Sequence, residues 1–225
     1  MQTDRVTIAI DGPAGAGKST VAKAVAKALG ILYLDTGAMY RAVALFALQN
    51  GVQPADASAV GALLDKIQLR IEAQPDGQHV YLNGVDVSQA IRTPEVSQGA
   101  SDVGTIAAVR AKLVALQQEI ARGQSVVMDG RDIGTHVLPE ARFKFYMTAD
   151  VRERARRRYR EMLQKGEKAD LAAVQKQMEA RDYNDSHREF APLRQAQDAL
   201  LVDTTHMDLQ QSVEYVVRRV REGRK

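Results

Sequence analysis

Apolar and polar residues follow one another in blocks along this chain, and the spacing inside each block predicts its element. Residues 5–10, RVTIAI, are a short β-branched run and predict a buried strand. After a glycine-rich stretch, Val21, Val25 and Leu29 recur at i, i+4 and i+8, one face of a helix, and Gly30 predicts its stop. ILYL at 31–34 predicts a second strand, and residues 38–49 a second helix. Strand and helix thus alternate through about the first fifty residues, which predicts a parallel sheet covered by helices.

The rhythm then breaks. Pro75-Asp76-Gly77 and Asn83-Gly84 are hairpin signals, and their flanks IQLRIEA, QHVYL and VDV alternate as small antiparallel strands do. A β-containing insert is predicted over 54–102. Beyond it Ile106, Val109, Leu113, Leu116 and Ile120 form a helical stripe, SVVMD (125–129) and ARFKFYM (141–147) predict strands, and 151–165 and 170–187 predict two long helices. ALLVD (199–203) predicts a last strand, and Leu209, Val213, Val217 and Val220 a closing amphipathic helix. The fold class read from this order is α/β.

Composition narrows the chemistry. Hydrophobic residues make up 45% of the 225, enough for a core with a sizeable insert. There is no cysteine, which removes disulfides, thiolate metal sites and cysteine nucleophiles together. There is no Trp, and aromatics at 5% are too few for a single-strand stacking platform. A net charge of +3 is a poor argument for duplex nucleic acid, though local clusters can hold phosphates. The apolar run near the start is short and is interrupted by Thr7, so it reads as a strand and not a signal peptide. No window approaches a membrane span, and the expected location is the cytoplasm.

The stretch after the first strand carries the strongest chemistry. Gly12, Pro13, Ala14, Gly15, Ala16, Gly17, Lys18 and Ser19 match G-x-x-x-x-G-K-[ST]. Glycines at this spacing let consecutive backbone N–H groups fold around an anion, and the helix starting at Lys18 adds its positive end. The Lys18 ammonium suits the β- and γ-phosphates of ATP, the Ser19 hydroxyl suits Mg²⁺, and Thr20 adds a phosphate contact. Asp129 closes a strand where such a loop needs a carboxylate, either to hold Mg²⁺ through water or to order the acceptor. No N-K-x-D motif exists, which argues against a guanine-nucleotide switch.

Arginines supply the remaining charge. Arg152, Arg154, Arg156, Arg157, Arg158 and Arg160 crowd one helix, which reads either as a solvated face or polyanion patch or as a lid that closes on ATP. The stripe Leu171, Val174, Met178 continues into Arg181, Asp185 and Arg188, and Arg110 interrupts the stripe between Ile106 and Leu113. Charges that prolong an apolar stripe predict a polar cavity, since burying them unpaired is costly.

IDGPAGAGKST, LDTGAMYRAVAL (34–45), IRTPEVSQGAS (91–101), MDGRDIGT (128–135) and RDYNDSHREFAPL (181–193), in this order, resemble bacterial cytidylate kinase. The resemblance implies a P-loop nucleoside monophosphate kinase fold: a five-stranded parallel sheet flanked by helices, an antiparallel β-containing NMP-binding insert and a helical lid. The core would comprise 1–53, 103–150 and 188–225, the insert 54–102, and the lid with its adjoining helix 151–187. It implies transfer of the γ-phosphoryl group of ATP to CMP or dCMP, with Mg²⁺, by a monomer.

By resemblance, Thr36, Tyr40 and Arg41 serve the acceptor, Arg41 near the CMP phosphate with Arg131 as the second clamp. Thr36 stands where the family more often has Ser. Ser101, Arg110, Asp132 and Arg188 resemble the cytosine-reading group, and Arg181 and Asp185 the ribose pair. Arg154, Arg157 and Arg158 fall in the lid, while Arg156 adds a charge where the family varies. Kinases for UMP, AMP or shikimate are the neighbouring readings.

Overall fold

The computed structural model describes residues 5–74, 77–164 and 166–223. The predicted turn at Pro75-Asp76, and Lys165, the last residue of the helix predicted over 151–165, lie outside the described residues. The chain forms two compact units, residues 1–31 with 125–225, and residues 32–124. The predicted insert 54–102 lies inside the second.

The first unit is built on β1 (Thr7–Asp11), β6 (Val126–Gly130), β7 (Phe143–Thr148) and β8 (Leu200–Asp203), in the order β6-β1-β7-β8. The larger sheet counts five strands, and β2 (Leu32–Asp35) opens the second unit. Pairing among the four is parallel throughout. Ile8, Ala9 and Ile10 of β1 are fully buried, as a central strand with both faces covered requires. The helices of this unit are α1 (Lys18–Leu29), α6 (Val151–Gln164), α7 (Leu171–His187) and α8 (Leu209–Glu222).

The closing helix is rotated from the predicted stripe. Ser212, Val216, Val217 and Val220 face inward, and Leu209 is 49% exposed. Ser212 can take an inward place because its hydroxyl donates to Asp208 O at 2.8 Å inside the helix. Asp208 and Gln211 close the start of α8 with a reciprocal capping box.

The second unit holds α2 (Thr36–Gln49), α3 (Ala57–Leu63), a three-stranded sheet of β3 (Leu69–Gln74), β4 (Gly77–Leu82) and β5 (Val85–Asp86), then α4 (Pro94–Val103) and α5 (Ala107–Gly123). β3-β4-β5 is antiparallel, and the predicted Asn83-Gly84 turn joins β4 to β5 with both residues at positive φ. The hydrophobic alternation did not reveal α3 and α4. Their signals are caps: Asp56 accepts from Ala59 N–H, and Thr93 accepts from Val96 N–H ahead of Pro94. Helix α2 likewise begins at Thr36, earlier than predicted, because Asp35 caps it.

Candidate active site

Gly12 leaves β1 at φ +145, and a Cβ there would stand 1.9 Å from Met147 O of the neighbouring strand. Only glycine lets the chain turn away from the sheet this close to β7. Gly15 (φ +73) passes under Met178, whose Cε a Cβ would meet at 2.4 Å, and Gly17 (φ +85) opens α1. Gly12, Pro13 and Ala16 are buried, Ala14 and Gly17 half-buried, and Gly15, Ser19 and Thr20 exposed.

The Lys18 ammonium is buried and donates to Pro13 O at 2.7 Å, across the loop it belongs to. Burial, helped by the charge of Arg131, pulls Lys18 down to about 7, with Asp129 and Asp11 opposing. Ser19 Oγ donates to Asp129 Oδ2 at 2.7 Å, which joins the loop to the strand end that the sequence predicted for it. A hydroxyl and a carboxylate side by side are the hard oxygen donors that Mg²⁺ takes alongside phosphate oxygens, so the residues present fit that ion.

Beyond this pair the first unit pairs arginines with aspartates. Arg131 Nε donates to Asp185 Oδ2 at 2.6 Å. Burial is the largest single influence on each and works against both charges; the partner's charge, the hydrogen bond between them and neighbouring charges together outweigh it, holding Arg131 above its ordinary value and Asp185 below the usual carboxylate range. Arg188 reaches Asp132 Oδ1 at 3.3 Å and Ala191 O at 2.6 Å. Arg154 is buried and donates to Ala149 O, to Ala14 O of the phosphate loop at 3.0 Å, and to Asp182 Oδ2 at 2.6 Å. Arg157 donates to Thr204 O at 2.6 Å. Arg158 faces solvent beside Glu161, and Arg156 faces solvent beside Glu153. Arg181 is exposed on α7.

In the second unit Arg41 Nη2 donates to Asp35 Oδ2 at 2.9 Å, while Asp35 Oδ1 caps α2 at Ala38 N–H. Thr36 is buried and Tyr40 half-buried. Arg110, 1% exposed, lies with its guanidinium 5.8 Å from the Tyr40 ring centroid and donates to Gly104 O at 3.4 Å. Ser101 is half-buried on α4.

The family model for cytidylate kinase matches residues 8–222. A cytidylate kinase of Shouchella clausii is 51% identical over 215 residues, 96% of each chain. The chain belongs to the cytidylate kinase family. A cytidylate kinase of Caldicellulosiruptor bescii is 48% identical over 213 residues, 95% of this chain and 94% of that one. A crystal structure of an uncharacterised protein from Eubacterium ventriosum shares the fold alone, with a TM-score of 0.55, 12% identity and coverage of 97% of this chain and 99% of that one.

As a cytidylate kinase family member the chain is a phosphotransferase with a nucleotide-binding P-loop. Three aspartates of its sites escaped the motif reading. Asp11, at the end of β1, accepts from Ile133 and Gly134 N–H at 2.7 Å each. Asp182, not Arg181, turns inward from Met178 on α7: the inward step is i+4, where a step of i+3 was predicted. Asp35 serves α2 and Arg41 at once. Only Asp35 carried a usable signal, an Asp three residues ahead of the predicted helix start at Ala38.

Proposed function

We propose that this kinase transfers the γ-phosphoryl group of ATP to CMP, and also to dCMP. The reading is carried by one observation: a phosphate loop whose buried ammonium, Lys18, stands with the half-buried guanidinium of Arg131, in a chain of the cytidylate kinase family. Loop amides and Lys18 hold the ATP phosphates. Arg41 and Arg131 hold the acceptor's phosphate, and an oxygen of that phosphate attacks the γ-phosphorus in line. The bond from γ-phosphorus to the β,γ-bridging oxygen breaks, and ADP and CDP result. Ser19, with Asp129 through water, would hold magnesium, which would supply positive charge to the ATP oxygens. Lys18 and the lid arginines Arg154, Arg157 and Arg158 stabilise charge on the transferring group, and no protein nucleophile is required.

Cytosine offers acceptors at O2 and N3 and a donor at N4. Arginines Arg110 and Arg188 suit the acceptors; Asp132 and Ser101 suit the amino group. Uracil presents N3–H and O4 instead and leaves such groups unpaired, which is strong grounds for rejection. Thr36 and Tyr40 line the acceptor side, and Arg181 and Asp185 take the ribose. The proposal includes a monomer acting in the cytoplasm, consistent with a chain that lacks cysteine. An ADP-release assay over CMP, dCMP, UMP, AMP and GMP tests the reading: CMP and dCMP lead the panel, and Lys18→Ala removes turnover while its circular dichroism stays native. A lead by UMP or AMP, or substantial activity in Lys18→Ala, overturns it.

A further inference from the structure

Beyond β6 the chain makes a single π-turn, Ile133–Val137, whose first residue follows Asp132. The N–H groups of His136 and Val137 donate to Asp132 O, and that of Leu138 to Ile133 O. An aspartate just ahead of such a turn ordinarily closes the turn's leading amides with its own side chain. Asp132 makes no such bond. Its carboxylate meets Arg188.

The leading amides are closed from a different strand. Ile133 N–H donates to Asp11 Oδ1 and Gly134 N–H to Asp11 Oδ2, so both oxygens of a residue only 5% exposed are committed to one turn. The fit is close: a Cβ on Gly134 would stand 3.4 Å from Asp11 Oδ2 and 3.2 Å from Lys144 Cδ. Lys144 carries the packing outward, since its ammonium donates to both oxygens of Asp198 at 3.0 and 2.7 Å.

The geometry points to Asp11 as a positioning residue for the acceptor: it caps the turn in place of Asp132, and so keeps the Asp132 carboxylate turned toward Arg188 and the acceptor's base. The inference rests on the proposed cytosine-reading role of Asp132. Asp11 also immediately precedes Gly12, so one strand end sets the start of the phosphate loop and the turn behind Arg131 and Asp132. Without Asp11, two buried amides lack an acceptor, and Asp132, the residue just ahead of them, carries a carboxylate of the kind that swings back onto such amides.

The test compares the parent with Asp11→Ala, Asp132→Ala and the double variant. Two quantities are read: the ratio of kcat/KM for CMP to that for UMP, and hydrogen exchange at the Ile133 and Gly134 amides without ligand. Asp11→Ala lowers the ratio about tenfold, with the ATP KM within about twofold of the parent. The double variant shows the ratio of Asp132→Ala alone, because Asp11 acts through Asp132. Exchange at the two amides rises in Asp11→Ala and not in Asp132→Ala. Asp11→Asn, which keeps one acceptor oxygen and the same shape, gives an intermediate ratio and covers the case where Asp11→Ala fails to fold.

A folded Asp11 variant with the parental ratio, or with equal losses for CMP and UMP, overturns the proposal. If Asp132→Ala itself keeps the parental ratio, the cytosine-reading role is what fails. The exchange rates then decide the cap alone, and unchanged exchange in Asp11→Ala refutes it.

Discussion

Burial pushes the Asp11 carboxyl up to about 6, with the Asp132 charge adding, against the pull of the two amides it accepts and of Lys18. Its folded value lies above its unfolded one, so native protein holds the proton more tightly. The stability from this group is therefore complete below about pH 4 and is lost as pH rises through about 6, a swing of about 3 kcal/mol. The cap works best ionised, so the turn is served at a cost to the fold. Urea melts at pH 4.5 and 7.0 check this: between the two, the parent loses stability relative to Asp11→Asn, and a constant difference refutes the sign. Lys18, Ser19 and Asp129 were legible because a phosphate loop dictates residue types at fixed spacing. Asp11 was not, since the amides that give it meaning lie more than 120 residues along the chain.

Six arginines crowd α6, and their number was legible where their directions were not. Two turn inward, Arg154 to Ala149 O, Ala14 O and Asp182, and Arg157 to Thr204. Ala155, Val174 and Met178 pack α6 on α7 beneath them. The stripe on α7 was extended by the wrong step because alternating steps of three and four fit the same face, and only packing chooses between them. Asp182 is the carboxylate that offsets the buried Arg154 charge, and its other oxygen, Oδ1, is itself buried without a hydrogen bond. Breaking such a pair from one side leaves an uncompensated charge. Asp182→Ala is expected to destabilise by about 2 kcal/mol, discounted because Asp182 is partly exposed, and to lower the melting temperature by about 6 °C. A melt within a degree of the parent means that the backbone oxygens of Ala149 and Ala14 satisfy Arg154 without it.

At the scale of the molecule, α/β order and the antiparallel β-strands were legible, because parallel strands and hairpins leave different periodicities, while the count of five strands in the larger sheet came from the family resemblance. The division after Ile31 was not, for the chain passes from α1 to β2 with nothing but the helix-stopping Gly30 to mark the place. Among the described residues no group of three or more acidic or histidine side chains gathers to cage a cation, and none of the helices is long and apolar enough to cross a membrane. A hydroxyl and one carboxylate would hold magnesium weakly by themselves, so under the proposed function the ion would arrive with the nucleotide. Chelation with EDTA is expected to stop turnover and to abolish the extra thermal stability that ATP confers with magnesium, while leaving the melting temperature of nucleotide-free protein unchanged. A drop in that last value would reveal a resident metal.

Arg154 on the phosphate loop and Arg157 on Thr204 fasten the first turns of α6 to the sheet beside them. A beam clamped at one end bends only past its clamp, and its deflection grows with distance from it. Any sweep of the α6–α7 hairpin therefore has its pivot beyond Arg157 and its widest arc at residues 166–170. That stretch is the natural place to attach a dye, splice in a peptide or nick the backbone without disturbing the chemistry.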